Sequence, residues 1–141
     1  MREFKFRMFS DVQNKMYYNI SVIDKDNLPE EVFHALLLRN RDIARSDYDK
    51  LMKYIGRKDK NNTLIYEGDI VRTKWQYCGV TNWDFEFIGK VFYSIEHCAF
   101  RILSSDNHFS RPLHNESSEK LLSIEVIGNV YENPEILKED K

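Results

Sequence analysis

A mainly β protein is expected from this sequence: an SH3-like small barrel or roll, with an N-terminal β-hairpin and one α-helix. Three observations carry that expectation. Short apolar runs separated by Gly, Asn, Asp and Ser clusters recur from Leu51 to the C-terminus. Nine Phe and eight Tyr give an aromatic content of 13%, and flat rings pack well on a pleated surface. A single stretch, Leu28 to Leu37, instead shows helical spacing.

The N-terminal residues predict the hairpin. Phe4, Phe6 and Met8 alternate with Glu3, Lys5 and Arg7, and Met16, Tyr18, Ile20 and Val22 alternate beyond the turn-like Ser10–Lys15. Two strands alone are marginal, so the hairpin must pack on something. Asn27 is placed to cap the helix, with Glu30 as its capping-box partner and Pro29 in the first turn. Leu28, Val32, Phe33, Leu36 and Leu37 form its apolar stripe, which packs on the barrel or on a second copy of the chain. The charged segment Asn40 to Lys50 reads as a connector. The organisation expected is therefore an N-terminal element over residues 1–50 and a barrel domain over 51–141.

Within the barrel domain, strands are expected over Leu51–Ile55, Thr63–Tyr66, Asp69–Tyr77, Phe85–Ser94, Ala99–Leu103 and Ile124–Tyr131. Gly89 reads as a bulge. Ser104–Asn115 reads as a long polar flap, and Ser117–Leu122 as a serine-capped helical turn. Glu67-Gly68-Asp69 reads as a structural corner rather than an acidic site, because the glycine bends and the acids solvate or hold the turn.

Two stretches are more specific than these elements require. YIGRKDKNNTLIYEGDIV (Tyr54–Val71) and EVIGNVYENPEIL (Glu125–Leu137) resemble the YopX family, and KFRMFSDVQNKMYY (Lys5–Tyr18) resembles that family's opening strand pair. The resemblance implies an SH3-like β-roll with additions, encoded by phages or prophages of mostly Gram-positive bacteria. It implies no activity, cofactor or catalytic residue. Asn61-Asn62 stands where the family more often has Asn-Gly, and Met8-Phe9 where it more often has Ala-Trp.

Charge and chemistry narrow the functional classes. A net charge of −2 draws nothing as a whole to a polyanion, so nucleic-acid binding needs a local basic patch. Two cysteines make no disulfide framework, and no apolar run is long enough for a signal peptide or a membrane span, so a cytoplasmic location is expected, which the family resemblance implies is that of a bacterial host. Cys78, His97, Cys98, His108 and His114 lack the spacing of a metal half-site, and no phosphate-cradling glycine loop or nucleophile elbow occurs. No cofactor is expected.

The candidate binding segment is RTKWQYCGVTNWDFEF, where Arg72, Lys74, Trp75, Tyr77 and Trp83 interleave cations with rings. Its ordinary reading is a half-buried strand, with Trp75 and Tyr77 on one face and Lys74 and Gln76 on the other. A second basic cluster is Lys53, Arg57, Lys58 and Lys60. The function expected is a non-enzymatic accessory protein that binds a host or phage protein, or itself as a homo-oligomer. Single-stranded nucleic-acid binding is the alternative, and a small enzyme is a third reading.

Overall fold

The computed structural model describes residues 5–10, 14–18, 51–79 and 81–139. The helix expected over Leu28–Leu37 and the connector over 40–50 lie outside the described residues. The chain divides into two compact units, Met1–Tyr54 and Ile55–Lys141, and the division falls inside a strand.

In the first unit, β1 (Phe6–Ser10) and β2 (Lys15–Tyr18) form the antiparallel hairpin, in the register Met8↔Tyr17 and Phe9↔Met16. The first half of β3 (Leu51–Lys58) pairs with the other edge of β1, Arg7 opposite Met52. Alternation marks the hairpin correctly, but β1 is buried on both faces: Arg7, Met8 and Phe9 are all inside. Tyr18, expected on the apolar face with Met16, is 53% exposed.

In the second unit, the rest of β3 continues beside β4 (Leu64–Tyr66). The turn between them is built on Asp59. Its Oδ1 accepts the N–H groups of Asn61 and Thr63 at 2.9 and 2.8 Å. Asn62 takes φ 69°, a conformation that asparagine tolerates. The corner Glu67-Gly68-Asp69 is structural. Gly68 sits at φ 84°, and the buried Asp69 carboxylate accepts the Tyr66 N–H at 2.8 Å.

Five antiparallel strands follow in the order β8-β7-β6-β5-β9. They are β5 (Asp69–Tyr77), β6 (Trp83–Ser94), β7 (Ala99–Leu103), β8 (Ser110–Pro112) and β9 (Glu119–Asn129). The fold is mainly β, and this sheet is curled into a half-barrel. Register shifts in the β5–β9 ladder, between Ile70 and Val71 and between Lys74 and Trp75, leave Ile127 and Leu122 as extra residues in β9. Such bulges bend the strand that carries them and sharpen its twist. The core of the unit is Ile65, Val71, Val91, Ile102, Leu113 and Ile124.

Three expectations are corrected here. Gly89 is not a bulge, since β5 and β6 pair without a shift through Val71↔Gly89. It is a point of close approach, where an added Cβ would lie 2.4 Å from the Leu103 carbonyl oxygen. Ser104–Asn115 is not one long flap. Ser104 and Phe109 close a tight turn through Ser104 N–H to Phe109 O at 2.8 Å, and β8 follows. Ser117–Leu122 is not helical: β9 begins at Glu119, and the Cys78 N–H bonds the Ser118 carbonyl at 2.8 Å. A helix of one turn and a little more, α1 (Glu135–Glu139), ends the described chain.

Candidate interaction site

Alternation along β5 and β6 sorts the candidate residues onto two faces of the curled sheet. Val71 and Val91, both core residues, fix which face is inner. Thr73, Trp75 and Tyr77 on β5 share that face with Trp83, Phe85 and Phe87 on β6, their partners across the ladder. Arg72 and Lys74 therefore belong to the outer face. There the Arg72 guanidinium pairs with Glu125 at 3.2 Å and, more loosely, with Glu86 at 3.9 Å. Lys74 stands opposite Glu86 and is exposed. The sequence interleaves cations and rings; the pleat separates them.

The rings make a continuous row that leaves the core and reaches solvent. Trp75 is fully buried and presents no surface to a partner. Its indole N–H donates to Thr73 Oγ1 at 2.7 Å, and that hydroxyl donates to the Phe87 carbonyl at 2.8 Å, so the polar groups buried with the ring are satisfied. Phe85 stacks on Trp75 with centroids 6.4 Å apart. Trp83 packs against Phe85 at 5.0 Å and against Tyr77 at 5.5 Å, yet keeps 52% of its surface exposed.

Arg111, a residue that sequence reasoning did not single out, lies over this row. Its guanidinium is 4.7 Å from the Phe85 centroid, 5.4 Å from Trp75 and 5.5 Å from Phe87. It is also ion-paired with Glu119. Arg111 is on β8 and Glu119 on β9, the two edge strands of the sheet, so this pair bridges the edges across the inner face. Each side chain keeps about a quarter of its surface wet, which makes the pair a modest stabiliser by itself. The ring contacts add to it, because a cation attracted to several ring faces is held in place as well as neutralised. The Phe85 and Phe87 positions could have been found in the alternation of Trp83-Asp84-Phe85-Glu86-Phe87. Arg111 could not, since its ring partners are on strands remote in sequence.

The other candidates disperse. In the second basic cluster, Arg57 donates to the Leu113 carbonyl at 2.6 Å and Lys60 pairs with Glu125 at 3.3 Å, so these two side chains help hold the unit together. The Glu125 carboxyl is held below its ordinary value by the Lys60 ammonium first and by Arg72 after it. Cys78 and Cys98 are exposed free thiols, and His97 is tied to Ser94 Oγ at 2.8 Å. Among the described residues, no group of three or more His, Cys, Asp or Glu side chains is placed to hold a metal ion. No helix among them is long and apolar enough to cross a membrane.

Comparison with curated proteins gives no match. Among solved structures, the chain is similar to the crystal structure of protein EF1440 from Enterococcus faecalis. The TM-score is 0.51 and the sequence identity 21%, over 97% of this chain and 99% of that one. At that identity the likeness speaks for the fold alone. A family model described as YopX protein matches residues 5–138, which takes in both distinctive stretches and the opening strand pair. The match covers nearly the whole chain, and the chain belongs to the YopX family.

Proposed function

We propose that this chain is a non-enzymatic accessory protein of phage or prophage origin, acting in the bacterial cytoplasm. Its curled sheet, read as an SH3-like roll, holds a segment of a host or phage protein on the ring-lined inner face. The observation that carries this reading is Trp83, a large ring over half exposed at the end of an ordered aromatic row. A ring already held by neighbours loses little freedom on binding and offers a large apolar surface with one polar N–H. Those properties enrich tryptophan at interaction hot spots. The distribution of cations favours a protein over a single-stranded nucleic acid. Arg72 and Lys74 are on the opposite face from the rings, and Arg111 beside the rings is already paired with Glu119. Stacking a base while neutralising its phosphate needs both groups on one face.

The test is site-directed photo-crosslinking in the host cell, with p-benzoylphenylalanine placed at position 83 and, separately, at position 74 on the outer face. Protein adducts are expected from position 83, lost when Phe85→Ala removes its support, and absent from position 74. Equal adducts from both positions would refute the reading. Salt-sensitive adducts with nucleic acid would replace it with the nucleic-acid alternative.

A further inference from the structure

The strand that carries Trp83 is also an open sheet edge. β6 runs from Trp83 to Ser94, but β7 pairs only with its far half, Lys90↔Leu103 to Ser94↔Ala99. Along Trp83–Ile88, β6 has β5 on one side and, among the described residues, no strand on the other. The direction of the backbone groups can be read from two bonds. The Thr73 hydroxyl reaches the Phe87 carbonyl, and the Gly68 N–H reaches the Val91 carbonyl at 2.9 Å. The odd-numbered residues thus turn their carbonyls toward β5. Alternation turns the N–H and C=O groups of Asp84, Glu86 and Ile88 outward. A cleft of about 270 Å³, lined by Glu86, Phe87, Ile88, Ser104, Ser105 and Asp106, lies where β7 leaves this edge.

We infer that this edge accepts an extended segment of a partner protein as an added strand, in line with β7. The segment alternates apolar residues with Lys or Arg. Main-chain bonds to Asp84, Glu86 and Ile88 would supply the pairing, and the side chains flanking the edge set the sequence. On the inner face the added strand meets Trp83, Phe85 and Phe87, which calls for apolar side chains. On the outer face it meets Asp84 and Glu86, the latter held only loosely by Arg72 at 3.9 Å, and then Ile88 with Asp106 at the end of the cleft, so cations are called for along Asp84 and Glu86. The same acids argue against a second copy of this chain as the occupant. Antiparallel pairing of two such edges about their middle sets Glu86 against Glu86, and like charges directly opposite destabilise a strand pair.

This inference rests on the reading of the inner face as a protein-binding face and adds the mode and the chemistry of the partner. The experiment is selection of a displayed random ten-residue peptide library on the full chain and on an Asp84→Lys/Glu86→Lys variant. Selected peptides are expected to alternate Lys or Arg with apolar residues, and the variant is expected to enrich acidic ones instead. N-methylation of alternate residues should weaken a selected peptide at least tenfold. Amide hydrogens of Asp84, Glu86 and Ile88 should exchange freely in the chain alone and become protected in the complex. No enrichment, enrichment unaffected by the charge reversal, or binding that survives N-methylation in both phases each overturns strand addition. A protein crosslink from position 83 would still stand in any of those cases, so failure here is separable from failure of the broader reading. If the chain itself dimerises with protection of those same amides, the occupant is a second copy and the inference is wrong.

Discussion

At the scale of single residues, Asp59 contributes more to the second unit than its place in a surface turn suggests. Its Oδ1 organises the β3–β4 turn, while its Oδ2 accepts the Val126 N–H at 2.9 Å from β9. Burial pushes its carboxyl pKa up, but the bonds from Val126, Thr63 and Asn61, with Lys60 nearby, outweigh that and hold it below the ordinary 3.8. A carboxyl whose folded pKa is depressed contributes stability in full above its ordinary, unfolded value. That contribution disappears as pH falls through the folded value. Asp106, which accepts from Ser104 and His108, and Glu125 shift in the same direction, so acid weakens the unit at several points. Asp59→Asn keeps the shape but sets an amide N–H₂ against one of the three backbone donors. Urea titrations near pH 7 should show the variant about 1–3 kcal/mol less stable than the parent. The gap should narrow as pH drops below about 4, because the parent loses its charge there and the variant has none to lose. A gap that stays constant down to about pH 2 would show that the charge on Asp59 is not what the bonds depend on.

At the scale of elements, the ladders depend on how closely neighbouring backbones approach. Gly89 sits in the middle of β6 against β7, and an alanine there would place its Cβ 2.4 Å from the Leu103 oxygen and 2.6 Å from Ile102 Cγ2. The first of these is backbone and cannot rotate away. Gly89→Ala is expected to cost about 2–3 kcal/mol in denaturant titrations and to loosen β7 first, seen as faster amide exchange at Arg101 and Leu103. An unchanged midpoint would mean that the two strands can part without penalty. The same position shows what a sequence can and cannot disclose. β5 and β7 have the bounds that alternation predicts, Asp69–Tyr77 and Ala99–Leu103, because half-buried strands write their faces into the residue order. Gly89 instead owes its identity to a carbonyl on another strand, and only the pairing reveals it. The helical reading of Ser117–Leu122 failed for a related reason: local propensity favoured a turn, and pairing with β5 overrode it. The candidate site divides along the same line. The ring row could be read from Trp83, Phe85 and Phe87, and alternation alone already set Lys74 on the face opposite Trp75 and Tyr77, whereas the complete burial of Trp75 needed the packing and Arg111 needed the curl of the sheet.

At the scale of the whole molecule, the central question is how much of the chain the ring-lined sheet needs in order to exist. Every core residue of the second unit, from Ile65 to Ile124, lies after the division inside β3, and so do Asp59, Arg111 and Glu119. The apolar residues that support that core, Ile55, Phe87, Phe100, Leu121 and Val126, lie there too. A chain of residues 51–141 should therefore form the curled sheet by itself. Its two tryptophans provide the readout, since Trp75 is fully buried and Trp83 is half exposed. In the isolated fragment, acrylamide should quench one tryptophan and spare the other. Trp83→Phe should leave a single blue-shifted emission that moves red only in a cooperative unfolding transition. Quenching of both tryptophans at once in the fragment would show that the core requires residues before 51. In that event the sheet and its open edge belong to a larger cooperative unit, and the peptide selection would have to be interpreted on that larger unit.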